Sequence, residues 1–79
     1  MAQQNINSAI AQTISILRHK ANISQEELAD RANIHRTYVS QIERGLKSPT
    51  LQVLMQIATA LNTTASDILR DIEKKTNEL

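Results

Sequence analysis

The stretch from Ser24 to Gly45 constrains this chain most. It reads as two short helices joined by a tight turn. Ser24 opens the first. Its hydroxyl is placed to accept from the N–H of Glu27, whose carboxylate can reach back to the N–H of Ser24, a capping box. Leu28, Ala29 and Ala32 form the buried stripe, and the small Ala29 admits a close neighbour. Asn33 ends the helix, because Asn tolerates left-handed backbone better than most non-glycine residues. Ile34 plugs the turn. The second helix runs from about Arg36 to Arg44 and stops at Gly45, suited to a left-handed C′ position. Val39 and Ile42 share its apolar side. Arg36, Thr37, Ser40, Gln41 and Arg44 share the other, so this helix presents hydrogen-bonding groups that no core can absorb.

The rest of the chain also reads as helical. One Gly and one Pro fall at boundaries, and strand-like alternation is absent. A first helix covers about Asn7 to Lys20, with Ile6, Ile10, Leu17 and Ala21 along one stripe and Ala21-Asn22-Ile23 as connector. After Leu46-Lys47-Ser48, Ser48 is placed to cap a fourth helix with Pro49 at its first position, where the missing N–H costs nothing. Leu51, Leu54, Ile57, Ala58 and Leu61 give that helix its stripe, and Asn62-Thr63 break it. Thr64, with Asp67 three residues on, opens a fifth helix over about 65–75. The expected fold is all-α, five helices in one domain spanning 1–79.

At 79 residues the chain has a thin core. A domain of that size buries only about 60% of its unfolded surface. It has no cysteine, which suits a reducing cytoplasm and removes disulfides and thiolate metal sites. No signal peptide and no bilayer-length apolar run appear. The single aromatic, Tyr38, argues against a base-stacking platform for single strands. Net charge is +1, but its distribution is uneven. From His35 to Thr50 the charges are Arg36, Glu43, Arg44 and Lys47, a surplus of two positives. From Asp67 onward four acids face three bases. His19 and His35 have no metal-ligand spacing, and no Ser–His–Asp set or phosphate loop is present. No enzyme, cofactor, metal or small-molecule ligand is expected.

Three segments carry a resemblance: Ser24-Gln25-Glu26-Glu27-Leu28-Ala29, Tyr38-Val39-Ser40-Gln41-Ile42-Glu43-Arg44-Gly45, and Ser48-Pro49-Thr50-Leu51. Together they resemble the lambda-repressor-like helix-turn-helix family over roughly Leu17 to Leu69. Arg36-Thr37-Tyr38-Val39-Ser40 beside Ile42-Glu43-Arg44-Gly45 is similar to the controller proteins of restriction–modification systems, single-domain dimers that switch their own operon. The resemblance implies double-stranded operator DNA as partner, a homodimer with one helix in each of two successive major grooves, and room for RNA polymerase as a further partner. It also implies that Arg18 pairs with Glu43. Glu43 lies near the buried edge of its helix, away from a face where a carboxylate would repel phosphate. His35 departs from the family by standing where Ser, Thr or Asp is usual. A weaker cap is expected there, and with it a start of the third helix that depends on pH.

Within that frame the polar face divides by chemistry. Arg36 can bond O6 and N7 of guanine together, Thr37 can meet a thymine methyl, and Gln41 can pair with adenine, with Ser40 beside it. Gln25 at the start of the second helix is assigned to phosphate, as are Arg44, Lys47, Ser48 and Thr50. Tyr38 either bonds phosphate or fills the edge of the core. Ile68, Leu69 and Ile72 are the expected dimer contact, with Val53 or Met55 beside them. An antitoxin that neutralises a partner toxin, using Asn62 to Leu79 as the partner surface, is the alternative of another class. A phage-type repressor and a non-DNA interaction module are weaker ones.

Overall fold

The structure, a computed structural model, describes residues 6–77. Its helices are α1 (Ile6–Lys20), α2 (Gln25–Ala32), α3 (Arg36–Glu43), α4 (Leu51–Ala60) and α5 (Ala65–Asn77). No strand occurs among the described residues, and the all-α expectation holds.

The connections follow one rule. Each of the first four helices ends against a residue with positive φ: Asn22 at 59°, Asn33 at 60°, Gly45 at 76° and Asn62 at 60°. At Asn33 the turn closes in a 6→1 and 5→2 pattern, Ile34 N–H donating to Ala29 O (3.0 Å) and Asn33 N–H to Asp30 O (3.3 Å). Gly45 repeats it, with Leu46 N–H on Gln41 O (2.9 Å) and Gly45 N–H on Ile42 O (3.1 Å). These turns fold each helix back onto its predecessor without strain, since Asn and Gly accept the left-handed region.

Helix starts are set by side chains. Ser24 Oγ accepts from Glu27 N–H at 3.0 Å, and Thr64 Oγ1 from Asp67 N–H at 3.1 Å. Only half of the capping box forms at Ser24, because the Glu27 carboxylate turns instead to Arg31 at 2.8 Å. The fourth helix corrects the sequence reading. Its cap is Thr50, whose Oγ1 accepts from Val53 N–H at 3.1 Å, and not Ser48. Pro49 therefore lies outside the helix, in the loop that leads into the extended backbone of Thr50 (φ −66°, ψ 164°).

Every helix sends one fully buried side chain to a common core: Ile14, Leu28, Ile42, Ile57 and Ile68, each at 0% exposure. Each contributes roughly 1.5–3 kcal/mol by leaving water. Ala9, Ala29, Ala32 and Ala58 fill the narrow places where helices approach. The first stripe is shifted from its expected position. Ile10 and Ile14 carry it, while Ile6 at the first turn and Ala21 beyond the last are exposed. In α4, Leu54, Ile57 and Ala58 are buried but Leu51 points outward. The fifth helix runs to Asn77, two residues past the expected end. Gln56 Nε2 donates to Ala32 O at 2.8 Å and so ties α4 to the end of α2.

Candidate nucleic-acid interface

The third helix stands on two anchors, Val39 (1% exposed) and Ile42 (0%), pressed against α1 and α2. With those positions fixed, the helical repeat turns Arg36, Thr37 and Arg44 fully outward and leaves Ser40 and Gln41 half-buried between them. Tyr38 is half-buried and packs against the core, which favours the core-edge half of its two expected roles. No carboxylate enters the row from Arg36 to Gln41; the helix's one acid, Glu43, is turned inward.

Glu43 is the hub that orients this helix. Its Oε2 accepts from Arg18 Nε at 2.8 Å and its Oε1 from Arg18 Nη2 at 3.1 Å, a two-pronged pairing of planar groups. Arg18 also donates from Nη1 to Ile23 O at 2.7 Å. Gln25 Nε2 completes the set by donating to Glu43 Oε1 at 3.1 Å. The side chains of Arg18 and Glu43 are only 11% and 5% exposed. Hydrogen bonding to Glu43 holds the Arg18 guanidinium above its ordinary pKa, against the opposing effect of burial. The expected pair is thus present, and it reaches further than expected. It joins α1, the connector before α2, the first residue of α2 and the last of α3.

Gln25, assigned to phosphate, is therefore partly committed to Glu43 through its amide. Its backbone N–H, in the first turn of α2, remains outside the intrahelical ladder. Arg44, Lys47 and Ser48 are exposed after α3, and Thr50 is exposed while serving as the α4 cap. Ser48 shares a shallow groove with Ile6, Pro49, Leu51 and Leu69. Ile68 and Ile72 correct the expected dimer contact: at 0% and 4% exposure they belong to the molecule's own core, and only Leu69 (40%) remains outside.

The departure from the usual caps at His35 resolves as a working cap. His35 caps α3 with its ring: Nδ1 accepts from Thr37 N–H at 3.1 Å, in extended backbone (φ −75°, ψ 141°). Its imidazole lines a groove with Ser24, Glu26, Glu27, Asp30 and Arg36. Among the described residues no group of three or more His, Asp or Glu side chains is arranged to hold a metal. No helix there is long and apolar enough to cross a membrane.

Comparison with known proteins places this geometry. Residues 14–68 match the helix-turn-helix family (HTH_3). The control protein C.SmaI of Serratia marcescens is 37% identical over 82% of this chain and 77% of its own length. The control protein C.BamHI of Bacillus amyloliquefaciens is 39% identical over 82% of both chains. Among solved structures, the restriction–modification controller protein C.Esp1396I, a tetramer in complex with its natural 35 base-pair operator, superposes with a TM-score of 0.82. It is 27% identical, over 94% of this chain and 97% of that one.

Proposed function

This chain belongs to the helix-turn-helix family and stands among its control proteins, and from that premise we propose that it is a cytoplasmic, sequence-specific transcriptional regulator of its own restriction–modification operon. The whole chain acts as one DNA-binding domain and pairs into a homodimer on a pseudo-palindromic operator. The observation that carries this reading is the α3 face: outward polar groups from Arg36 to Arg44 on a helix held by Val39, Ile42 and the Glu43 hub. A short, rigidly seated helix of that kind fits the major groove.

Arg36 and Thr37, at the start of α3, read base edges, and Gln41 with Ser40 follows one turn on. Gln25, Arg44, Lys47, Ser48 and Thr50 position the phosphates, with Tyr38 at the flank. Lys47 and Arg44 supply the charge that makes binding salt-dependent.

The dimer contact moves with the corrected burial. Ile6, Leu51 and Leu69 are 57%, 65% and 40% exposed and border the same groove, with Met55 (56%) one turn of α4 away. This apolar patch supports pairing through the α4–α5 side, continuing the family's dimeric habit. Pairing places two copies of α3 about 34 Å apart, one helical turn of DNA.

Footprinting on the DNA upstream of the gene tests the reading. Two protected half-sites one turn apart are expected. Absence of any protected site at low salt overturns it.

A further inference from the structure

The cap on α3 fixes the chemistry of His35 beyond the cap itself. A neutral imidazole carries one N–H and one lone pair. Here the lone pair is on Nδ1, because that atom accepts from Thr37 N–H at 3.1 Å. The proton is therefore on Nε2, at the far edge of the ring. Among the described residues no acceptor lies within hydrogen-bond distance of that Nε2, and His35 is exposed. Arg36 and Thr37 follow directly, so the free N–H stands beside the first base-reading side chains.

We propose that His35 is a further DNA-contact residue, whose Nδ1 caps the recognition helix while its Nε2–H donates to a backbone phosphate oxygen at the edge of the groove that Arg36 enters. This rests on the assignment of α3 as the recognition helix. A phosphate fits better than a base edge for a positional reason. A cap residue in extended backbone lies outside the helix, at the flank, where the sugar–phosphate strand passes as the helix enters the groove. The surrounding charges do not supply the attraction: Glu27 is paired with Arg31 at 2.8 Å, and Glu26 and Asp30 outnumber Arg36 in the same groove, so the contact rests on the oriented Nε2–H donor and its place at the flank of α3. One imidazole then couples two events: the ring that hydrogen-bonds the strand is the ring that orders the first turn of α3.

Two substitutions separate the two nitrogens. His35→Ser keeps a good cap and loses the distant donor. His35→Gln loses the cap atom and keeps an N–H at similar reach. His35→Ser is expected to unfold at the wild-type denaturant midpoint or above. It is expected to bind the operator and unrelated DNA alike about tenfold more weakly, as for a lost hydrogen bond to a charged acceptor. The salt slope stays unchanged, because the donor is neutral. His35→Gln, measured well below its melting temperature, is expected to regain most of that loss. In the free protein, imidazole nitrogen shifts are expected to report the Nε2–H tautomer. Wild-type affinity in His35→Ser, a loss confined to operator DNA, or an Nδ1–H tautomer would each overturn the proposal. Arg36→Ala, measured alongside, separates the layers. If it weakens operator binding while His35→Ser does not, only the His35 assignment fails. If neither matters, the assignment of α3 fails with it.

Discussion

Gln25 and Glu43, eighteen positions apart, are joined by a 3.1 Å hydrogen bond from the amide Nε2 of one to the carboxylate Oε1 of the other. The same oxygen receives Arg18 Nη2 at 3.1 Å. The start of α2 and the end of α3 are thereby locked to each other through a carboxylate that α1 holds in place. The phosphate anchor proposed on α2 and the base-reading face proposed on α3 need a fixed relative position, and this contact supplies it.

Breaking that hub from one side is costly. Arg18→Met leaves Glu43 buried and without its cation, and is expected to lower stability by about 3–5 kcal/mol. The double variant Arg18→Met with Glu43→Leu removes both charges and is expected to recover most of that loss. It releases Gln25, so DNA affinity stays reduced. Urea unfolding and operator titration of the same samples separate the two effects. The pH behaviour has a definite sign. Arg18 is held above its ordinary pKa, so its contribution is complete below the ordinary arginine value and lost only above the raised one. Mild alkali is expected to leave the pair intact.

Ile68 and Leu69 are neighbours in sequence with opposite surroundings, at 0% and 40% exposure. Ile68→Ala is expected to destabilise the fold by about 2–5 kcal/mol. Leu69→Asp is expected to leave the protomer folded and shift sedimentation from dimer to monomer. An unchanged dimer in Leu69→Asp and in Leu51→Asp would remove the α4–α5 patch from the interface.

Lys47 is exposed in the loop after α3. Lys47→Ala is expected to weaken operator and random DNA equally and to reduce the slope of log K against log salt by about 0.9. A loss restricted to the operator would make Lys47 a base reader instead.

Local signals in the chain were the readable ones. Asn33, Gly45, Ser24 and Thr64 mark their boundaries through their own backbone and hydroxyl chemistry, and each does so in the structure. Ser48 misled because Pro49 is compatible both with a first helical position and with an extended lead-in, and Thr50 offers an equal hydroxyl. The contact of Gln25 with Glu43 was hidden by sequence distance, since only packing of α2 on α3 brings it about. The Arg18 pair was visible only through family resemblance. Ile68 and Leu69 lie within one apolar arc, and helical periodicity alone does not say which of them a neighbouring helix covers. His35 was noticed as a departure from the usual caps, but that its ring would serve as the cap needed the 3.1 Å geometry to establish.

The claim that the α3 face reads bases is tested most directly by comparing wild type and Arg36→Ala on a panel of operators mutated one base pair at a time, with random DNA as reference. The expected result is a loss of about 1–3 kcal/mol on the intact operator, little loss on random DNA, and one base position at which the variant no longer discriminates. An equal loss on operator and random DNA, with discrimination intact at every position, would contradict the account.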